Sequence, residues 1–220
     1  MHGKTQAKKA VKQTLPKPAD QGAEPKVRFY DRVAVLTSQR DNVRVLRVWI
    51  KRRQGWRAIV EQEVAVVPAS ATPAGAEAAK SAPAAARPCD NPCKTVPYRP
   101  RSPDEQALLE SWQALESAVA AGNGDAWAAH VADEFVIVGN SRVQTKEERK
   151  ATVARGGSTP APLVAAELYD FGDAIIMGAE HQPAVGKPVR VTRLFIRRNG
   201  TWLLALSYQT TIEDAEAKTN

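Results

Sequence analysis

The sequence predicts an α+β protein on three observations. A strand pair closes on a tight turn near the C-terminus, that pair occurs twice, and capped helices precede its second occurrence. The pair runs from Val189 to Ile212, VRVTRLFIRRNGTWLLALSYQTTI, and turns at Arg198-Asn199-Gly200, where Asn-Gly tolerates the positive φ angles of a two-residue hairpin. β-Branched and aromatic residues fill both arms. At a fixed offset of 146 residues, Val43, Arg44, Val45, Arg47, Ile50, Arg52 and Trp56 match Val189, Arg190, Val191, Arg193, Ile196, Arg198 and Trp202. Seven identities in fourteen positions exceed what shared strand composition explains, so we read an internal duplication. Upstream, Phe29-Tyr30-Asp31 parallels Leu168-Tyr169-Asp170. The second copy reads as whole and the first as a C-terminal half.

In chain order, residues 1–26 form a polar basic tail, with either a short helix over Thr5–Leu15 or no fixed structure. Residues 27–67 are the half-copy, read as three strands over 27–37 and 43–66. Residues 68–102 are an Ala/Pro-rich linker without periodicity and without a core of its own. The complete domain, 103–213, opens on Ser102-Pro103-Asp104-Glu105, a capping box with Pro at the first helical position. That helix carries Leu108, Leu109, Trp112, Leu115 and Val119 at helical spacing and stops at Gly122-Asn123-Gly124. Asp125 is expected to cap a short helix bearing Trp127, His130 and Val131, followed by the strand Phe135–Val138. Thr145-Lys146-Glu147-Glu148 is a second capping box, starting a helix to about Arg155. Strands are expected at 163–170, 173–179, 188–198 and 201–212, and residues 214–220 are a tail. A domain of ~110 residues suits one core, so 103–213 is expected to fold without the first 67 residues. The half-copy needs a cover for one face.

The net charge of +7 is uneven: residues 1–67 hold 15 Lys/Arg against 6 Asp/Glu, and the remainder 16 against 18. No nucleic-acid recognition motif accompanies the basic half, so its charges read as a solvated strand face and nucleic acid is not an expected partner. No apolar run approaches the ~20 residues of a membrane span, and no apolar signal core follows the basic N-terminus. A periplasmic or secreted location would require a signal upstream of Met1. Cys89 and Cys93 form a CxxxC pair: a short-loop disulfide if the protein is exported, two free thiols in cytosol. Only three histidines exist, none near the cysteines in sequence, so neither a metal site nor a cofactor is expected.

Trp112 and Ala118, then Asp125-Ala126-Trp127, Ala132-Asp133-Glu134-Phe135-Val136, Thr145-Lys146-Glu147-Glu148 and the closing Arg193–Thr211 stretch together resemble the NTF2-like superfamily, most closely its SnoaL-like, DUF4440 group. The resemblance covers 103–213 and, as a half-copy, about 27–67. It implies a cone: a curved antiparallel sheet wrapped on about three helices, with a pocket inside and an extra partial sheet at the N-terminus. Such domains commonly pair through their sheets, which implies either a pseudo-dimer within the chain or a homodimer. Isomerase-like members place an Asp base on the strand after the short helix. Here Phe135-Val136-Ile137-Val138-Gly139-Asn140 holds no acid, which speaks against that mechanism.

Candidate bases are His130, beside Trp127 and Asp133, and Asp170, although the recurrence of Tyr169-Asp170 as Tyr30-Asp31 suggests a structural role. Trp127, His130, Asn140, Tyr169, Thr192 and Tyr208, with Thr210, are the expected lining of a ligand pocket. Arg193 could bind an anion there, but its match at Arg47 favours a sheet surface. Trp56 and Trp202 are expected under their hairpins. These residues point to a protein that binds a small hydrophobic ligand or serves in assembly. The alternative is an isomerase, cyclase or hydrolyase acting on a small carbonyl compound through His130 or Asp170.

Overall fold

The computed structural model describes residues 24–67 and 88–212. The basic tail with its Thr5–Leu15 segment, most of the linker and the last residues lie outside the described residues. Among the described residues the fold is α+β, in three layers: helices, a six-stranded sheet and a four-stranded sheet.

The four-stranded sheet is an antiparallel meander of β1 (Lys26–Tyr30), β2 (Val33–Arg40), β3 (Val43–Arg52) and β4 (Gly55–Ala65). It has one strand more than expected. The run 27–37 breaks at Asp31, whose φ of 49° is a turn conformation that Asp tolerates better than most residues.

Helices α1 (Pro103–Ala120), α2 (Gly124–Ala129) and α3 (Lys146–Ala154) cover one face of the larger sheet. Its strands are β5 (Val131–Val138), β6 (Val143–Thr145), β7 (Leu163–Asp170), β8 (Ala174–His181), β9 (Val189–Arg198) and β10 (Thr201–Thr211), in the order β6-β5-β10-β9-β8-β7. One pair, β5 with β10, is parallel, so the sheet is mixed rather than purely antiparallel. The long excursion through α3 and the β7–β9 meander lets the last strand return beside β5 in the same direction. At the closing hairpin Asn199 and Gly200 both take positive φ, 51° and 79°.

The caps differ in detail from the sequence expectation. Ser102 accepts from the Glu105 amide, but the Glu105 carboxylate accepts from the Arg101 amide at 2.7 Å instead of closing a reciprocal box. It is buried, and is further satisfied by Tyr98 Oη at 2.8 Å and Arg101 Nη2 at 2.9 Å. Asn123, not Asp125, caps α2. Thr145 and Glu148 do form the full box.

Strand alternation sorts the core into two faces. Phe135, Ile175, Met177, Phe195 and Leu204 point toward Leu108, Trp112, Leu115 and Val119 of α1. Ile176, Leu194, Ile196, Leu206 and Tyr208 point the other way, against Val33, Val35, Leu46, Val48 and Ile50 of the small sheet. Burial on both faces explains why the central strands read as nearly continuous apolar runs. Polar contacts cross the same interface: Gln62 Nε2 donates to Thr210 Oγ1 at 2.7 Å and to the Tyr208 carbonyl at 3.3 Å, and Arg44 Nη1 donates to the Gly139 carbonyl at 2.6 Å. Trp202 is buried as expected. Trp56 is 41% exposed and stacks edge-on against Phe29, because the small sheet has no helix under its hairpin among the described residues.

Residues 88–102 belong to the domain rather than to a linker. Cys89 and Cys93 are joined in a disulfide. Inside that loop Asn91 exchanges two 2.9 Å hydrogen bonds with the backbone of Leu163, fastening the loop to edge strand β7. Val96 and Tyr98 pack on the helix-side core.

Candidate functional site

The polar groups inside the cone are supplied by both layers that enclose it. From β9, Arg193 points to the helix side, since it alternates with Leu194 and shares parity with Phe195. It is 5% exposed. Its guanidinium lies 5.3 Å from the centre of the Trp112 ring on α1, and its Nη2 is 3.0 Å from His181 Nε2 at the end of β8. A guanidinium can only donate, so His181 Nε2 accepts, and its Nδ1–H donates to the Ala161 carbonyl at 2.8 Å. Burial first, and the Arg193 charge second, hold His181 at a pKa of about 3, so the ring is neutral. Both its nitrogens are engaged. His181 is therefore a brace for Arg193 and a poor base.

One turn on from Trp112, Glu116 accepts from the indole Nε1 at 3.1 Å. Burial pushes its carboxyl up, opposed by the positive charges of Arg193 and then Arg149. Burial in turn lowers both arginines, and for each the opposing influence is Glu116. The buried Arg193 and the half-buried Arg149 thus share one carboxylate, and neither lies within 4 Å of a carboxylate among the described residues. Arg193 Nη1 is buried with no hydrogen-bond acceptor. An uncompensated buried donor costs about 1–3 kcal/mol, more when charged.

A pocket of about 290 Å³ has Ile137, Asn140, Arg142, Gln144, Arg149 and Gln209 in its wall. Gln209 reaches inward to Ser207 at 3.3 Å, and Ser207 is the cross-strand partner of Arg193. A larger hollow of about 660 Å³ lies among exposed Arg32, Arg52, Arg53 and Gln54 on the small sheet and holds no buried polar group.

The residues singled out from sequence do not converge. His130 caps the end of α2; its Nδ1 lies 3.1 Å from Ser111 Oγ, which donates to the Trp202 carbonyl at 2.8 Å, so it ties α1 to β10. Asp170 accepts from the Gly172 amide at 2.8 Å in the β7–β8 turn and is exposed. Tyr208, Thr192 and Thr210 alternate onto the outer face, toward the small sheet, and not into the cone. Tyr169 is 47% exposed on β7 and bonds Glu167. Trp127 is buried against Phe135, with ring centroids 5.5 Å apart. Asn140 alone of the expected set lines the pocket, where its amide also holds Thr211 and Ala65. Arg193, read as a surface residue, is interior. Its match Arg47 is a partly exposed ion pair with Glu61 at 3.1 Å. Glu116, Arg149 and His181 were missed. His181 was legible: Ile175, Met177, Ala179 and His181 share one strand face, once β8 is carried two residues further.

No protein-family model matches the sequence, and no curated protein matches it. Among solved structures, the chain is similar to an NTF2-like protein from Cytophaga hutchinsonii, at 13% identity and a TM-score of 0.45, over 50% of this chain and 100% of that one. It is similar to a proposed dehydratase of the NTF2-like family from Streptomyces avermitilis, at 17% identity and a TM-score of 0.44, over 51% and 100%. A third is a proposed calcium/calmodulin-dependent protein kinase II association domain from Xanthomonas campestris, at 16% identity and a TM-score of 0.42, over 55% and 94%.

Proposed function

We propose that this chain is a SnoaL-like, DUF4440-type member of the NTF2-like group that binds a small organic anion in its cone and catalyses no reaction. The observation that carries the reading is the interior charge balance. Arg193 is buried and Arg149 half-buried, with the half-buried Glu116 as their shared counter-ion, and Arg193 Nη1 lacks an acceptor. Buried charge is tolerated when paired, and a ligand carboxylate would supply the missing negative charge and acceptor. Ile137 in the pocket wall offers apolar surface for the rest of such a ligand.

The enzyme reading has less support. His130 and Asp170 are engaged far apart, and the neutral, doubly bonded His181 is no general base near neutral pH. The assembly reading is limited by the small sheet, which covers the outer face of the large one. Gln62 bonds the carbonyl of Tyr208, its own match at the 146-residue offset, as a pseudo-twofold pairing of the two copies would require. We therefore read the chain as an internal pseudo-dimer, with that face closed to a second copy. The Cys89–Cys93 bridge suits an oxidising compartment.

The test is thermal unfolding of the full chain with benzoate or 4-phenylbutyrate, against benzamide and 4-phenylbutyramide as neutral matches. A ligand at 100 times its Kd stabilises by about 2.7 kcal/mol. The carboxylates should raise Tm, the amides should not, and Arg149→Gln or Arg193→Gln should abolish the difference. Equal shifts from acid and amide, or an acid preference surviving both substitutions, would refute the reading.

A further inference from the structure

The pocket wall carries a hydrogen-bond acceptor as well as cations. By register, Gln144 on β6 lies opposite Ile137, Ile137 opposite Ser207, and Ser207 opposite Arg193, so all four side chains stand on the helix side of the large sheet. Gln144 is 9% exposed and lines the pocket with Ile137, Arg142 and Arg149. Its amide has one orientation. Gln144 meets Thr152 Oγ1 on α3 at 2.9 Å, and the single hydroxyl hydrogen of Thr152 is already given to the Glu148 carbonyl at 2.8 Å. Thr152 can therefore only accept from Gln144, which puts Nε2 against α3 and leaves Oε1 as the polar atom that faces the pocket. No donor among the described residues bonds that oxygen. Asn140, in the same wall, is spent: its Nδ2 donates to the Ala65 carbonyl at 3.1 Å and its Oδ1 accepts from Thr211 Oγ1 at 3.2 Å.

The cations reach the same wall from two sides. Arg149 and Thr152 are three residues apart on α3, so Arg149 comes to the pocket from the helix face that pins Gln144. Arg142 enters from the connection between β5 and β6. A ligand matched to this wall bears a negative charge for the arginines and, beside it, a donor for Gln144 Oε1. A carboxylate with a hydroxyl on the adjacent carbon has both. An ammonium on that carbon offers the same donor, but it adds positive charge where Arg142 and Arg149 already face the one carboxyl of Glu116. A largely buried acceptor left without a donor penalises any ligand that lacks the hydroxyl. We propose that the pocket binds a 2-hydroxy carboxylate, with Gln144 as the residue that selects for the hydroxyl. This rests on the reading of the cone as an anion site and adds a donor requirement that carboxylate recognition alone does not impose.

Four ligands of one shape separate the cases: phenylacetate, mandelate, 2-methoxy-2-phenylacetate and 2-phenylglycine. All carry a carboxylate at neutral pH, and they place hydrogen, hydroxyl, methoxy or ammonium on the adjacent carbon. Isothermal titration calorimetry on the full chain at fixed salt, with both hands of each chiral ligand, gives the dissociation constants. Mandelate should bind about fivefold or more tightly than phenylacetate. The methoxy ether and phenylglycine, which lack the donor or add a positive charge, should bind no more tightly than phenylacetate. In Gln144→Met the ratio of mandelate to phenylacetate affinity should fall to about one. The ligand series needs only the native chain, so it decides the matter even where that variant does not fold. Binding of benzoate and phenylacetate without a preference for mandelate overturns the proposal and leaves the anion reading standing. The same holds for a methoxy ether that matches mandelate, a preference that survives Gln144→Met, or tightest binding by phenylglycine. Binding of none of these carboxylates overturns both.

Discussion

Replacing His181 by Gln separates its bracing of Arg193 from its titration. Gln keeps an acceptor for Arg193 Nη2 but carries no ionisable group. In the native chain His181 is 4% exposed and titrates at about 3, against an ordinary value of 6.5. Between those values the unfolded chain binds a proton that the folded chain refuses, so folding stability falls as pH falls. The contribution is full above about pH 6.5 and is lost toward pH 3, with a limiting slope of about 1.4 kcal/mol per pH unit. By pH 4.5 this amounts to about 2–3 kcal/mol. Glu116, whose carboxyl is raised by burial, works in the opposite sense, stabilising the fold less as pH rises. Its contribution is common to both proteins and cancels in the comparison, as does that of the exposed carboxylates. Urea unfolding of native chain and variant at pH 7.5, 5.5 and 4.5 measures the difference. His181→Gln should cost some stability at pH 7.5, and the native advantage should shrink by about 2 kcal/mol or more by pH 4.5. A difference that stays constant from pH 7.5 to 4.5 would show that His181 titrates normally and does not brace Arg193 as a neutral ring.

Two further outcomes follow from the packing. Gly124→Ala places a Cβ 2.6 Å from the Lys150 carbonyl, where α2 crosses α3, so the helices must separate; a loss of about 1–3 kcal/mol in urea unfolding is expected, and an unchanged midpoint would contradict the close approach. A chain beginning at residue 88 lacks the small sheet and bares Ile176, Leu194, Ile196, Leu206 and Tyr208; light scattering should find it self-associated, whereas a monomer unfolding like the full chain would mean the small sheet is dispensable.

The sequence by itself determined the element types, the hairpin at Asn199-Gly200 and the cap at Thr145. These depend on neighbours along the chain: the turn needs residues that tolerate positive φ, the helix start needs an acceptor three residues before a donor, and period-2 and period-3.6 patterns are local. Only the tertiary structure decided what covers what. Val189–Arg198 is apolar or large on both faces, and alternation cannot say which face meets helices and which meets a second sheet. Tyr208 and Thr192 therefore looked like pocket residues, and Arg193 like a surface one, until the small sheet claimed the outer face. The expectation that 103–213 folds by itself took no account of that same face, which packs on the small sheet. The candidate site was less legible than the fold for a related reason. Glu116 on α1, Arg149 on α3, His181 on β8 and Arg193 on β9 are far apart in sequence, and their chemistry comes from meeting in one partly buried region in which two positive charges face one carboxyl. A side chain's charge is written in the sequence, but the burial that makes an unpaired charge costly is set by elements it meets only after the chain has folded.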